Sequence, residues 1–322
     1  MRLRLILRRI GVAVITLWVV TLIMFAGTEL LPGDVAEIML GQEATPQSVK
    51  ALREALGLNK PALTRYFEWL ARTATLDLGT SLAGRAIPVG GTPIGEMIRG
   101  RMANTFLLAW IVAIITVPVS VVLGLLAAMY PASWYDRCAT FVTLCLVAVP
   151  EFFTATLLVL VFAVELRWIS TIVVIPGDTS LWNKLSALTL PIITLCLVML
   201  AQMVRMTRAA VLNVMASPYI EMAILKGVPR MRIVYRHALF NAIGPIANII
   251  ALNIAFLVTG VVIVETIFAY PGLGRLMVNA VQVRDMPLVQ ACGMFFCTIY
   301  LILIMLSDIV SIISNPRLRH PS

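Results

Sequence analysis

The sequence predicts an all-α integral membrane protein with six transmembrane helices and a helical insert after the first of them. Of its 322 residues, 60% are hydrophobic and only 13% are charged, and the mean hydropathy is +0.96. A soluble domain would have about a quarter charged residues. Several stretches also exceed the roughly 18 apolar residues that indicate a membrane helix. The composition therefore argues against a soluble fold.

The predicted spans follow the chain from its start. The first apolar run is too long for a cleaved signal peptide, whose apolar region has about 7–15 residues, so we predict an uncleaved first span. The six predicted spans are residues 10–30, 104–129, 138–164, 188–211, 241–268 and 287–313. Prolines 118, 150, 191 and 245 fall within these spans and are expected to bend them.

Basic residues predict the orientation. Six spans place both termini on one side, and arginines occur in the N-terminus and in the tail, residues 314–322. The stretch 205–236 has six basic residues and one acid, Glu221. Such an excess marks the cytoplasmic face, so we predict cytoplasmic termini. The net charge of +9 is explained by these loops, and no basic domain indicates nucleic-acid binding.

The insert at residues 32–103 is predicted to face outward and to contain two amphipathic helices. Thr45, Pro46 and Gly57 supply a cap, a first helical residue and a stop for one helix. The second has a predicted apolar stripe of Leu63, Tyr66, Phe67 and Leu70. We expect the pair to cover the outer mouth of the membrane domain. A solvated loop is the alternative.

A basic segment between the fourth and fifth spans interrupts the apolar sequence: "SPYIEMAILKGVPRMRIVYRHAL", Ser217–Leu239, here called the elbow. Ser217 is predicted to cap a helix that Pro218 opens, and Gly227 to end it. Glu221 would lie in the first turn, where the helix dipole favours negative charge.

Pro229 is predicted to open a second short helix. An apolar stripe recurs at helical spacing, and two arginines share another face; these residues are Met231, Val234, Tyr235 and Ala238, and Arg232 and Arg236. Two short helices joined at a glycine would fit a groove on a partner protein. An interfacial loop that binds anionic lipid is an equally good interpretation of the residues alone.

The elbow resembles a known family. "EMAILKG" and "RHALFNAIGP" are similar to the EAA loop of bacterial ABC-type importer permeases, in the version of dipeptide and oligopeptide permeases. Further similar motifs follow in the family's usual order: "LLPGD" (30–34), "DLGTS" (77–81), "VETIFAYPGLGRL" (264–276), "RDMPLVQ" (284–290) and "NPRLR" (315–319). Departures are Met222 in place of alanine, Val228 in place of a polar residue, a proline only at Pro245, and Asn315 in place of an acid.

The resemblance implies the type I ABC importer permease fold and the first permease of a heterodimeric pair in the bacterial inner membrane. It implies that the loop at residues 212–240 docks in a cleft of a cytoplasmic ATPase, with Glu221, Ala223 and Gly227 at the core. The other expected members of this coupling loop are Tyr219, Lys226, Arg232 and Arg236. Implied partners are a second permease, two ATPase subunits and a periplasmic solute-binding protein. The implied solutes are di- or oligopeptides, or nickel, glutathione, opines or peptide antibiotics.

The chain has no ATP-binding motif of its own. A P-loop needs a Gly-Lys pair, and none of the four lysines follows a glycine. We therefore expect no enzymatic activity, with ATP and magnesium bound by partner subunits. Two histidines and five cysteines without a CxxC pair argue against a metal site, and the cysteines are interpreted as buried packing residues.

Four polar residues in or near the spans are further candidates. Glu151 follows Pro150 in the third span and is either a pathway-lining carboxylate or a structural carboxyl beside the proline. Glu265, Tyr270 and Asp308 are candidates for an outer gate or for packing at helix ends. The chief rival function, a self-contained channel or ion-driven carrier, would need more polar residues deep in the spans than this sequence has.

Overall fold

The computed structural model describes residues 2–30, 35–40, 44–55, 57–81, 92–169 and 185–314. In chain order the elements are α1 (Arg2–Glu29), α2 (Val35–Leu40), α3 (Pro46–Ala55), α4 (Ala62–Ala74), β1 (Thr80–Ser81), β2 (Thr92–Pro93), α5 (Ile94–Met129), α6 (Trp134–Ala148), α7 (Glu151–Leu158), α8 (Thr189–Met215), α9 (Pro218–Leu225), α10 (Arg230–Arg232), α11 (Leu239–Ile267), α12 (Leu273–Gln282) and α13 (Met286–Ser314). Two π-helical turns, Val159–Glu165 and Ile233–Ala238, continue α7 and α10. Most of "LLPGD", all of "NPRLR" and nearly all of the predicted tail lie outside the described residues.

Five helices of the described chain are long and apolar enough to cross a membrane, and the bent pair α6 and α7 makes a sixth candidate. The five are Ile6–Glu29, Ile94–Met129, Thr189–Met215, Asn241–Ile267 and Met286–Val310. They overlap the predicted spans. The second begins ten residues earlier than its predicted start at residue 104, because α5 continues without a break from Ile94.

The third predicted span, residues 138–164, is not one rod. It consists of α6 and α7, which are bent by 96° relative to each other. Val149 and Pro150 have extended backbones at the break, as expected where a β-branched residue precedes a proline. The bend expected at Pro150 is confirmed by this break, whereas Pro118 and Pro245 lie inside continuous helices and Pro191 lies in the first turn of α8.

One compact unit contains residues 1–11, 107–270 and 300–322. Its core is formed mainly by α8 and α11, with α6, α7 and the second half of α5. Gly124 marks a close approach between α5 and α8: a Cβ atom on it would lie 2.8 Å from both Thr207 Cβ and the Val204 carbonyl oxygen. This contact requires a residue without a side chain.

The other compact unit contains residues 12–106 and 271–299, including the insert. Its helix α4 packs on α1. The Phe25 and Tyr66 ring centroids are 5.4 Å apart, the Tyr66 hydroxyl is 2.8 Å from Thr21 Oγ1, and Arg65 pairs with Glu29. Burial of the Tyr66 ring and satisfaction of its hydroxyl together fix α4 along the end of the first span.

Both predicted helices of the insert exist, but one predicted stripe is only partly buried. Thr45 Oγ1 accepts a hydrogen bond from the Ser48 N–H at 3.2 Å, and Gly57 has a φ of +63°, so the predicted cap and stop of α3 are confirmed. In α4, however, Leu63 and Phe67 are exposed. Tyr66, a member of the predicted stripe, is buried as expected, and Leu70 is partly buried. Tyr66 and Trp69 contact Phe25 of α1, so these aromatic contacts decide which side of the helix is buried.

Motifs far apart in the sequence meet in this second unit. Ser81 in "DLGTS" donates a hydrogen bond to the buried carboxylate of Asp285 in "RDMPLVQ", and the Leu288 N–H donates to the same carboxylate at 3.3 Å. The Leu273 N–H, in the first turn of α12, donates to Thr105 Oγ1 at 2.8 Å. The bonds of Leu288 and Leu273 satisfy amides at helix starts that have no partner within their own helix.

The close approach at Gly124 is testable. We expect Gly124→Ala to lower the free energy of unfolding by about 1–3 kcal/mol, because the new methyl group overlaps Thr207 and backbone atoms that cannot simply rotate away. The measurement is denaturant unfolding of the purified protein, followed by circular dichroism.

Gly100→Ala, in the same helix, is the matched control. A Cβ atom there meets nothing within 4 Å, so alanine should be neutral or should stabilise the helix by up to about 1 kcal/mol. Equal stability of the two variants would contradict the close packing of α5 on α8.

Candidate functional site: the elbow between the fourth and fifth spans

The first arm of the elbow is the helix α9. It begins at Pro218, and Glu221 lies in its first turn, as predicted. The predicted side-chain cap is wrong: the Ser217 hydroxyl makes no capping bond and donates instead to the Val214 carbonyl oxygen at 2.5 Å. Proline explains why the helix starts here nonetheless, because it needs no amide partner at its first position.

The predicted stop of α9 at Gly227 is confirmed. Gly227 has a φ of +72°, which glycine adopts without steric cost. Its N–H donates to the Ile224 carbonyl at 2.9 Å, and the Val228 N–H donates to the Ala223 carbonyl at 3.2 Å. This pair of bonds is a Schellman motif, in which an apolar residue after the glycine packs on the last turn. Val228 takes that role, which accounts for an apolar residue at this position.

The second arm is not the separate short helix that the sequence predicts. Helix α10 passes through the π-helical turn Ile233–Ala238 directly into α11. A π turn has i→i+5 bonding and shifts the apolar face from the expected α-helical spacing. Of the predicted stripe, Val234 and Ala238 are buried, as expected, whereas Met231 is exposed, and Ile233, which lies outside the stripe, is buried as well. The second arm is therefore the start of the fifth span.

The two arms share a small apolar core. Ile220, from α9, is fully buried with Ile233 and Ala238, and Ala223 and Val228 pack against them. The opposite side of α9 is exposed, including Met222 and Leu225, which are 54% and 75% exposed. The remaining predicted members of the coupling loop, all exposed, are Tyr219, Glu221, Lys226, Gly227, Arg232 and Arg236. The elbow thus presents apolar side chains beside charged ones on a rigid helix.

An ion pair before the elbow was not identified from the sequence. The Asp136 carboxylate, only 3% exposed in the first turn of α6, accepts bonds from Arg208 Nε at 2.5 Å and Arg208 Nη2 at 2.8 Å. The Ala132 N–H donates to it at 2.9 Å, and Ser133 Oγ caps the helix. An arginine in an apolar helix was the available signal, because such a charge needs a partner if it is buried. Arg208 also contributes to the excess of basic residues that indicates the cytoplasmic face, and that excess does not reveal its partner.

The structure brings Glu151 to the fifth span. It is the first residue of α7, and Gly260 of α11 faces its carboxylate. Its Oε1 is buried without a hydrogen-bond partner.

Glu265 and Tyr270 are both fully buried near the end of α11. Burial, and secondarily the negative charge of Glu265, raise the pKa of Tyr270 above its ordinary value. Ala269 between α11 and Tyr270 has a φ of +53°, an uncommon backbone conformation for alanine.

Asp308 lies in α13 and pairs with Arg9 of α1, with Arg9 Nη1 2.9 Å from Asp308 Oδ2. Its neighbour Ser307 donates to Asn248 Oδ1 of α11 at 2.7 Å. These contacts join three helices at the end of the last span.

No group of three or more potential metal ligands occurs among the described residues. All five cysteines are free. The interpretation as buried residues is confirmed for Cys196 and Cys292, whereas Cys138 and Cys297 are partly exposed and Cys145 is exposed on this chain.

Comparison with known proteins gives a consistent result. Residues 120–320 match the family described as binding-protein-dependent transport system inner membrane component, and residues 2–85 match the family of its N-terminal region. A Brucella abortus (strain 2308) protein named as a peptide transport system permease is 34% identical, over 98% of this chain and 99% of that protein. The glutathione transport system permease protein GsiC of Escherichia coli O6:H1 is 32% identical, over 95% of each chain.

A solved structure shares the fold. A chain of the MetNI methionine ABC transporter in an inward-facing conformation matches with a TM-score of 0.55 and 15% identity, over 70% of this chain and 100% of that chain. At this identity the match supports the arrangement of helices only.

The ion pair between Asp136 and Arg208 leads to a prediction. We expect Asp136→Ala to lower the free energy of unfolding by about 2–3 kcal/mol, because it leaves a partly buried guanidinium unpaired. The double variant Asp136→Ala/Arg208→Ala should lose little more than the single one.

Denaturant unfolding measures all of these variants. Arg205→Ala, an exposed arginine one turn earlier in α8, is the matched control and should stay within about 0.5 kcal/mol of the parent. Fully additive losses in the double variant would contradict the pairing.

Proposed function

Because the chain belongs to the family of binding-protein-dependent transport system inner membrane components, we propose that it imports di- or oligopeptides, or related solutes. The chain is a multi-pass permease subunit of an ABC importer. The solute class is supported by relatives named for peptide and for glutathione transport. In this proposal a periplasmic binding protein delivers the solute, and a second permease completes a heterodimer in the bacterial inner membrane.

The elbow couples the chain to a cytoplasmic ATPase. This proposal rests on the two faces of helix α9: one face packs against the rest of the elbow, and the other face is exposed. Ile220 anchors it, whereas Met222 and Leu225 are available to a partner. An exposed apolar patch with a charged rim is typical of a docking surface. Glu221 and Lys226 supply part of that rim.

The other predicted members of the loop fall into two groups. Ala223 and Gly227 shape the end of α9, since the Ala223 carbonyl and the Gly227 N–H take part in its Schellman motif. The charged rim is completed by Arg232 and Arg236, with Tyr219 at the start of the helix. Lipid headgroups are a second partner for these arginines, because basic residues next to a span attract anionic lipid.

ATP and magnesium bind to the partner ATPases, and nucleotide-driven closure of those subunits moves both elbows of the permease pair. This chain then alternates its access to the two sides. Its termini, with the elbow, lie in the cytoplasm, in agreement with the basic residues of those segments.

Glu265, Tyr270 and Asp308 are helix-end packing residues in this account. The first two are fully buried, which supports packing more than contact with a passing solute. Asp308 pairs with Arg9, near the terminus that we place in the cytoplasm, so an outer gate does not suit it.

Reconstitution separates this function from a self-contained carrier. The complete importer in proteoliposomes should accumulate a peptide solute only with ATP, ATPase subunits and binding protein all present. Uptake by this chain alone would contradict the proposal and favour the carrier.

We further expect Leu225→Asp to reduce the amount of ATPase that copurifies with the permease at least tenfold. Burying an unpaired carboxylate in an interface costs well over the ~1.4 kcal/mol that corresponds to a tenfold change. Leu63→Asp in α4 is the control, because Leu63 is 74% exposed, like Leu225, but lies in the outer insert. Equal retention of ATPase by both variants would remove α9 from the interface.

A further inference from the structure

The break in the third span brings two helix ends together inside a membrane segment. Helix α6 ends at Ala148, and α7 begins at Glu151. The last carbonyls of a helix have no intrahelical donors, and Pro150 has no N–H to offer. These oxygens form the partially negative end of α6. In a bilayer they need a donor from elsewhere.

The Glu151 carboxylate adds a full acceptor in the first turn of α7, directly after the break. Its Oε1 is buried and has no hydrogen-bond partner, and no described Lys, Arg or His side chain forms an ion pair with it. An unpaired charge within a membrane span is costly. The arrangement is therefore unfavourable unless a proton or another cation neutralises it.

The fifth span makes room for this carboxylate. A Cβ atom on Gly260 would lie 3.2 Å from Glu151 Oε2 and 3.4 Å from Oε1. Next to Gly260, Thr259 belongs to an exposed face of α11 that recurs at four- and three-residue spacing: Leu252, Phe256, Thr259, Ile263 and Thr266. Gly260 itself is buried, so the carboxylate lies against a buried position of α11 that is next to this exposed face in the sequence.

We propose that Glu151, Gly260 and the carbonyl end of α6 form a site for the protonated amine of the transported solute. An ammonium group has three N–H donors and no acceptor, which matches a site built only from oxygen acceptors. Broken helices in membrane transporters bind ions and substrates through the same helix-end groups. The inference rests on the proposed import of peptide-like solutes, whose free N-terminus is such a group.

A sodium ion or a bound proton could satisfy the same oxygens, so the experiment must separate these sources. The full-length chain, with the subunits that copurify, is placed in lipid nanodiscs. Infrared difference spectra of the carboxyl region are recorded on adding glycinamide, N-acetylglycinamide or sodium chloride. Glycinamide has a free amine, whereas its acetylated form is neutral.

We expect a carboxylate difference band with glycinamide only, present in the parent protein and absent in Glu151→Gln. Glu165→Gln is the matched control, because Glu165 is an exposed glutamate at the end of the same bent pair, and it should keep the band. Three results would overturn the inference: an equal band with N-acetylglycinamide or sodium chloride, a band that persists in Glu151→Gln, or no band in the parent.

A transport measurement on the reconstituted importer provides the second readout. For a solute with a free amine, Glu151→Gln should raise KM about tenfold or more, as expected for loss of a charge-assisted hydrogen bond. Gly260→Ala keeps the charge of Glu151 but places a methyl group against its carboxylate, and this variant should also raise KM. An unchanged KM in both variants, with normal ATP-driven uptake, would refute the amine site and leave the importer function intact. Absence of any ATP-driven uptake, with the glycinamide band intact, would refute the importer function instead.

Discussion

The proposed coupling depends on one contact, the packing of Ile220 against Ile233 and Ala238 within the elbow. It joins α9, which presents the exposed residues, to the first turns of the fifth span. Closely packed interiors resist deformation and transmit displacement, so α9 and the start of α11 should move together. The Schellman motif at Gly227 ends α9 with two backbone hydrogen bonds and so fixes where the chain turns into the second arm. Without this small core, a force on α9 would bend a loop and leave the membrane helices in place.

The membrane limits where polar groups can be placed, and the described polar residues follow that limit. Asp136 and Arg208 neutralise each other, and Arg9 pairs with Asp308 at helix ends. An unpaired charge within a span is costly, so each charged residue requires its partner on the neighbouring helix. Each pair therefore specifies which helices are neighbours. Glu151 is different, because the described residues leave one of its oxygens unpartnered.

Much of this architecture could be predicted from the sequence, because hydropathy and glycine carry strong physical signals. The apolar runs and the stop at Gly227 were identified correctly. The effect of each proline could not be predicted, because Pro118 continues a helix whereas Pro150 breaks one, and the difference depends on tertiary surroundings. The π turn at Ile233–Ala238 has no local signature, so the continuation of the second arm into α11 and the burial of Ile233 were not predicted, although Val234 and Ala238 of the predicted stripe are buried. The pairing of Asp136 with Arg208 requires knowing which helices are neighbours.

The most direct test of the central claim is crosslinking from the elbow. A cysteine replaces Leu225 in a chain whose five native cysteines have been replaced, and native membranes are treated with a bifunctional thiol–amine reagent. We predict a crosslink to a nucleotide-binding subunit, with a yield that changes when ATP and magnesium are added. Two results would contradict the account. One is a cysteine at position 225 that reacts only with reagent supplied from the periplasmic side. The other is the absence of any crosslink to a nucleotide-binding subunit.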